Sequence, residues 1–388
     1  MSWTMTPIKK IGEIFDGPHA TPQRLPRGEK YFLNISSLEG GQLDLTHSDF
    51  VSDEDFAQWT RRVTPRADDF LFSYETRLGD AALMPDGIQA CLGRRMALIR
   101  PDQRRIDPRF LLYTWRSPAF REQLAVKSIH GATVDRIPLK ELGNWTITLP
   151  DMATQQAIGE VLGALDDKIA ANAQALEVSD SVVRVLYSQL PLSPRTLGEI
   201  AHSARDFVSS GAETPGESYV ALEHFDKRQM WLRRHADAAV ATSTKTRFLP
   251  GDTLFGKLRP YFHKVARASM SGICSTDILV VRPNSKSDTA LVLAAASSDA
   301  VVEAAVMSSN GTRMPRAKWQ DIASCRVPDP TDPQVRCFVQ SVDAITARMD
   351  RATEENTTLA RTRDELLPQL MSGRITVKDA EKRVEEEV

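Results

Sequence analysis

The sequence has few of the features that would indicate chemistry of its own. It contains no GxxxxGK[ST] loop, no GxGxxG turn and no GxSxG elbow, the motifs in which a backbone turn presents phosphate-binding amides or a nucleophile. It also lacks the Asn/Asp-Pro-Pro-aromatic tetrapeptide with which adenine methyltransferases hold a flipped base. The seven histidines (His19, His47, His130, His202, His224, His235, His263) are scattered, without HExxH or Cys/His spacing for zinc. Adjacent carboxylates such as Asp68-Asp69 and Asp166-Asp167 read as turns or helix surface. The chain is therefore expected to be non-catalytic, with no metal and no cofactor of its own. Cysteine is scarce too. Cys91, Cys274, Cys325 and Cys337 form no CxxC pair, which suits free thiols in a reducing compartment. No apolar run reaches the roughly 18 residues a membrane helix needs. No charged start followed by an apolar stretch opens the chain, so a cytoplasmic protein is expected.

What is present is ordinary globular composition, 41% hydrophobic and 26% charged, which excludes a disordered or fibrous chain. At roughly 150 residues per domain, 388 residues imply two or three domains. The net charge of −2 conceals an uneven distribution. Residues 151–193 hold 2 basic and 6 acidic side chains, whereas residues 194–331 hold 18 and 14. Arg94 to Arg109 carries six arginines, and residues 227–267 carry ten Lys/Arg interleaved with Trp231, Phe255, Tyr261 and Phe262. Such patches are the electrostatic footprint of a phosphate-backbone surface, although a charge cluster alone is more often a solvated face.

The chain repeats itself. Ile11-Gly12-Glu13-Ile14 returns as Leu197-Gly198-Glu199-Ile200, ADDFLF before Ser73 as PGDTLF before Gly256, and MALIRP (Met96–Pro101) as ILVVRP (Ile278–Pro283). Gly131 in HGATVDR matches Gly311 in NGTRMPR, and LYSQL (Leu186–Leu190) matches LLPQL (Leu366–Leu370). Two copies of about 190 residues follow, since a fixed period marks a duplicated architectural unit.

Each copy has a mixed globular part and a helical tail. Short β-type runs between Gly, Pro and Asp alternate with helical stretches in the globular parts, which gives an α+β class. In the tails, Ile158, Leu162, Leu165, Ile169, Asn172, Leu176, Ser179, Val183, Leu186 and Leu190 recur at steps of three and four. Phe338, Val342, Ile345, Met349, Ala352, Asn356, Leu359, Arg363, Leu366 and Leu370 do the same. These are heptad seams. The expected organisation is a domain over 1–150, a helix over 151–193, a second domain over 194–330, and a second helix with a tail over 331–388. The fold class is α+β, two pseudo-repeated α/β domains separated and followed by long helices that form an antiparallel coiled coil.

Antiparallel rather than parallel pairing follows from the two asparagines. End-matched and antiparallel, Asn172 faces Asn356; in parallel each would meet an apolar residue, and a buried unpaired amide costs about 1–3 kcal/mol. The pair would fix the register of the helices. The first helix also carries Ala157, Ala164, Ala171, Val178 and Val185 beside the seam. This wide stripe either packs on the globular domains or docks helices of another protein.

Three sequence words give the pattern a family. LPDMATQQAIGEVLGALDDKI (Leu149–Ile169) and its altered copy VPDPTDPQVRCFVQSVDAI (Val327–Ile345), GDTLFGKLRPYFHKV (Gly251–Val265) with CSTDILVVRP (Cys274–Pro283), and the helix exit LLPQLMSGRI (Leu366–Ile375) resemble the specificity subunits of type I restriction–modification systems. The second copy departs from the pattern in keeping only Gln334 of the tandem glutamine Gln155-Gln156. The resemblance implies a cytoplasmic, non-catalytic subunit serving bacterial defence and DNA methylation. Each target-recognition domain would read one half of a bipartite, gapped site on double-stranded DNA. The helices would act as a ruler of about one DNA turn, roughly 34 Å. The implied partners are two methyltransferase subunits, which bind S-adenosylmethionine and flip the target adenine, and motor-nuclease subunits, which use ATP and Mg for cleavage.

Base reading needs Arg, Lys, Asn or Gln with bidentate reach, while hydroxyls and amides serve phosphates. The candidates for DNA binding are Tyr74, Thr76, Arg77, His130, Thr133 and Arg136 in the first domain. In the second they are Lys257, Arg259, Tyr261, His263, Lys264, Asn310, Thr312, Arg313 and Arg316. Arg259, before Pro260, has a structural role as its alternative. Two other readings of the chain compete: a coiled-coil scaffold that does not bind DNA, and a self-sufficient nuclease or methyltransferase fused to a ruler, against which the missing motifs argue.

Overall fold

The computed structural model describes residues 3–131, 134–209, 216–238, 243–308 and 315–387. It divides into two compact units. One comprises Met1–Lys168 with Thr358–Val388, the other Ile169–Thr357. The division cuts both long helices, so each unit is one globular domain plus a segment of each helix. No single helix among the described residues is long and apolar enough to cross a membrane.

In the first unit a four-stranded sheet runs in the order Gly12–Asp16, Met96–Pro101, Phe70–Ser73, Ala81–Leu83. Phe70, Leu71 and Phe72 are all fully buried, because both faces of this sheet are covered. Phe70 and Phe72 pack on Trp115 at ring-centroid distances of 5.1 and 4.9 Å. Leu71 and Leu98 face the opposite way, into a core with Leu33, Leu38, Val63 and Leu92. A strand covered on two sides reads as a continuous apolar run rather than an alternation. The helical stretch from Pro108 breaks at Ser117 into Pro108–Arg116 and Pro118–Lys127. Ser117 accepts the Phe120 amide, and Pro118 sits at the first helical position, where its missing N–H is not needed.

The second unit repeats the plan, with the order Ala201–Ser203, Ile278–Pro283, Thr253–Gly256, Val265–Arg267. Its helical stretch likewise breaks, at Ser297-Ser298, into Thr289–Ala296 and Asp299–Met307. Both units pair one parallel couple, Tyr31–Leu33 with Ala90–Leu92 and Ser218–Val220 with Gly272–Cys274. The strongest sign of duplication is a buried ion pair. Asp69 takes the Arg100 guanidinium on both oxygens at 2.9 and 2.6 Å and also accepts the Arg66 amide. Asp252 takes Arg282 at 2.9 and 2.7 Å and accepts the Leu249 amide.

These contacts correct one sequence match. Pro101 pairs with Gly12, and Pro283 with Ala201. The amides of Asp102 and Asn284 donate to the carbonyls of Ile11 and Ile200. Ile11 therefore corresponds to Ile200, three residues on from Leu197. The shared Gly-Glu-Ile word is strand in one copy (Gly12–Asp16) and a helical turn in the other (Leu197–Ile200), because apolar spacing alone does not fix the register of so short a word.

The tails form the long helices Met152–Ser188 and Pro333–Met371, of 37 and 39 residues, each roughly 55–60 Å at 1.5 Å per residue. Asp151 caps the first through the Thr154 amide, and Asp332 caps the second through Gln334, with Pro333 as its first residue. The helices run antiparallel. In the second unit Asn172 lies on Asn356 and Tyr187 on Phe338, ring centroids 6.0 Å apart; in the first, Asp166 meets Arg363 at 2.6 Å. Asn172 Nδ2 donates to Asn356 Oδ1 at 2.9 Å and to Glu355 at 2.8 Å, while Asn356 Nδ2 donates to the Ile169 carbonyl at 3.3 Å. Gln155 is buried and spans the Pro150 carbonyl and the Asp107 amide. Counting along the seams from Ile158 and Phe338, its counterpart is the buried Val335; Gln334 is exposed.

Candidate nucleic-acid interface

In both domains the strand that follows the buried aspartate runs out into a loop, and a distant segment is laid across that loop. In the first domain the Ile137 amide donates to the Tyr74 carbonyl at 2.8 Å and the Thr76 amide to the Asp135 carbonyl at 3.2 Å. In the second, Ala317 donates to Lys257 at 2.9 Å and Arg259 to Pro315 at 2.9 Å. The bridges Glu75 with Arg136 and Leu258 with Arg316 complete the match. Thr76 and Arg259 thus occupy one position, and both hold the left-handed backbone, with φ of 71° and 51°. Non-glycine residues in that region cost of order 1–3 kcal/mol and persist only where surrounding contacts over-determine them. The same unusual backbone at the same place in two divergent copies marks a built feature.

A third element joins each pair of loops. In the first domain it is the turn Gly93–Met96, closed by the Met96 amide on the Gly93 carbonyl at 3.0 Å; in the second it is Ser275–Ile278, closed likewise at 3.0 Å. The amides of Tyr74 and Lys257 donate to the turn carbonyls of Arg95 and Asp277 at 3.1 and 2.8 Å. Charges cross over between the copies. Arg95 lies 3.6 Å from Glu75 in the first, and Asp277 lies 3.2 Å from Arg316 in the second.

Residues 2–178 match the family model described as the type I restriction modification DNA specificity domain. Over this stretch, the first globular domain and most of the first long helix, the chain is similar to that family. It is 23% identical over 278 residues to the type I restriction enzyme EcoDI specificity subunit of Escherichia coli, covering 60% of this chain and 62% of that one. It is 24% identical over 200 residues to the putative type I restriction enzyme MjaX specificity subunit of Methanocaldococcus jannaschii, covering 48% and 45%. The matched part thus spans less than two thirds of either relative. The S subunit of a type I system from M. genitalium shares the fold, with a TM-score of 0.60 at 14% identity over 95% of this chain and 96% of that one. The family model reaches only into the first long helix, and it is the loop and ion-pair equivalences that extend the same plan to residues 194–331.

Within this fold the candidate residues divide by exposure. Thr76, Arg77, His130, Arg136, Arg259, Tyr261 and Arg316 are exposed on the crossed loops. Arg77 also donates to the Ile35 and Leu38 carbonyls at 3.2 and 3.0 Å, and His130 lies 3.3 Å from Asp135. Tyr74 is buried beneath its loop; its hydroxyl donates to the Arg94 carbonyl at 2.6 Å, and burial pushes its pKa up to about 12. His263 is also buried, with Nε2 2.8 Å from the Ser297 carbonyl, and Lys264 donates to the Leu222 carbonyl at 2.7 Å. Tyr74 and His263 shape the surface from below. Burial holds the Lys257 ammonium below the usual lysine range, against the pull of Asp277. Thr133, Asn310, Thr312 and Arg313 lie outside the described residues.

The basic clusters of the sequence disperse in three dimensions. Of the six arginines between Arg94 and Arg109, Arg100 is in the buried pair with Asp69, Arg104 and Arg105 reach Asp102, and Arg109 reaches Asp167. Arg94 and Arg95 alone among the six sit in the turn beside the crossed loops. Sequence reasoning did not single them out. The available signal was Gly93 between two β-type runs, with a pair of like charges at the central turn positions. Among the described residues, the metal-ligating groups in mutual reach are Glu39, Asp44 and His47; Asp44 there caps a short helical turn through Thr46 and lies 2.8 Å from His47.

Proposed function

We propose that this chain is the DNA sequence-recognition subunit of a type I restriction–modification complex, in which each globular domain reads one half of a bipartite, gapped site. The observation that carries this reading is the duplicated set of three loops, held by matching hydrogen bonds but bearing different side chains. A conserved frame with divergent tips is what two half-sites of different sequence require, since backbone contacts position a reader and side chains at the base edges specify. The long helices join the two reading domains in one chain and serve as the ruler between half-sites.

The same reading supplies the partners. Val178, Val182 and Val185 on the first helix are 56%, 41% and 56% exposed, and Ala164 and Ala171 beside them are exposed as well. This apolar line suits the methyltransferase subunits, two of which would dock on the pseudo-repeated chain, with motor-nuclease subunits joining for cleavage. S-adenosylmethionine, and ATP with Mg, would be bound by those partners, and this chain would do no chemistry.

Methylome sequencing of the source strain with the gene intact and deleted tests the reading. Loss of one bipartite, gapped adenine-methylation motif on deletion is the expected result. An unchanged methylome, together with no salt-sensitive binding of the purified chain to duplex DNA, would overturn it in favour of a scaffold role.

A further inference from the structure

Arg94 and Arg95 occupy the two central positions of a turn whose backbone is held on three sides. The buried Tyr74 grips it from below, through its hydroxyl on the Arg94 carbonyl at 2.6 Å and its amide on the Arg95 carbonyl at 3.1 Å. Gly93 is pressed against the strand Tyr31–Leu33, where an added Cβ would fall 2.4 Å from the Leu33 carbonyl oxygen, and a Cβ on Gly17 would fall 2.3 Å from the Gly93 oxygen. The turn borders a cleft of about 490 Å³ lined by Arg24, Asn34, Ser36 and His47 as well as the two arginines.

The other charged groups of this cleft, and Asn34, already have partners. Arg24 lies 3.1 Å from Asp49, and His47 lies 2.8 Å from Asp44. Asn34 accepts from the Ser36 amide and donates to the His47 carbonyl. Arg95 shares Glu75 at 3.6 Å. Arg94 is exposed, and among the described residues its guanidinium has no ion-pair or hydrogen-bond partner. A guanidinium on a fixed backbone, with its planar fork free, is suited to the O6 and N7 acceptors of guanine in the major groove, the commonest specific contact of arginine with DNA. The second domain has Thr276 at the equivalent place and Asp277 next to it, where a carboxylate would repel those acceptors.

We propose that Arg94 reads a guanine in the half-site of the first domain, with Tyr74 as the positioning residue that holds its turn. The proposal rests on the DNA-recognition reading above and goes beyond it by naming the base and the side chain. The asymmetry of the turns confines this guanine contact to one half-site.

The test uses the purified full chain, a duplex pool with two randomised blocks separated by spacers of varied length, and sequencing of the bound fraction. The wild-type chain should enrich a bipartite sequence with a guanine in one block. In Arg94→Ala that one position should lose its preference by roughly ten-fold or more, the usual worth of a bidentate pair, with the other block unchanged. Arg94→Lys keeps the charge without the fork, so it should lose the preference while retaining most of the affinity. Unaltered base preference with uniformly weaker binding in Arg94→Ala would make Arg94 a phosphate contact and overturn the proposal. So would a first block without guanine, or loss of preference in both blocks. If the wild-type chain enriches no sequence, the DNA-recognition reading falls as well.

Discussion

The asparagine pair in the helix seam gives a prediction whose size follows from its geometry. Asn172 is 8% exposed and donates to Asn356 at 2.9 Å and to Glu355 at 2.8 Å. Replacing it with alanine removes the donor to Asn356 Oδ1 within the seam. An orphaned buried acceptor costs about 1–3 kcal/mol. The half-exposed Asn356 recovers part of this through water, so about 1–2 kcal/mol is expected. Amide hydrogen exchange is the suitable assay, because it reports local stability where global unfolding of two units would not be a single transition. At 1.4 kcal/mol per ten-fold, protection of residues 169–188 and 333–357 should fall roughly 5- to 30-fold in Asn172→Ala. Asn356→Ala should do the same. The double replacement by leucine should recover most of the loss, since two apolar residues leave nothing unsatisfied, and the coupling should be about 1 kcal/mol. Additive single effects, within about 0.3 kcal/mol, would show that the two amides are independently solvated and would refute the reasoning.

Two further outcomes follow from buried charge. Asp252→Ala strands Arg282 and the Leu249 amide, and Asp69→Ala strands Arg100 and the Arg66 amide. Breaking a buried pair costs about 3–5 kcal/mol, and because each arginine is partly exposed (25% and 22%) about 2–4 kcal/mol is expected, with exchange rising in residues 194–330 for the first variant and in 1–150 for the second. Equal disturbance of both domains by either variant would contradict the unit boundaries. His263 gives a pH dependence. Burial lowers its folded pKa below 6.5, with Arg184 and Arg228 adding to the shift and Ser297 and Asp299 opposing it. The folded state therefore binds fewer protons than the unfolded one. Stability is full above the unfolded pKa and is lost as pH falls through the folded value, at up to about 1.4 kcal/mol per pH unit. His263→Gln should flatten that slope in urea titrations between neutral and mildly acidic pH; an unchanged slope would place the sensitivity elsewhere, for example at His224, whose pKa burial also lowers.

The periodic and the duplicated parts of this protein were legible in its residues. Heptad spacing is a local property of the chain, so the two helices were legible almost to their caps, and so was the α+β duplication, since ADDFLF and PGDTLF each carry the aspartate that a later arginine must reach. The register of the repeat was legible only where long words anchored it. Gly12-Glu13-Ile14 and Gly198-Glu199-Ile200 look alike yet are strand and helical turn, and only the pairing of Pro101 with Gly12 and Pro283 with Ala201 places them. The loops behave differently again. That residues 74–77 lie under residues 135–137 depends on hydrogen bonds across some 60 positions, and no local signal encodes a contact that distant. Charge was the least legible property. Arg94 and Arg100 are equivalent letters in one basic run, but the first stands exposed on a pinned turn and the second is locked on Asp69, because a strand's direction and the pleat of its neighbours decide which side chain meets a buried carboxylate and which meets water.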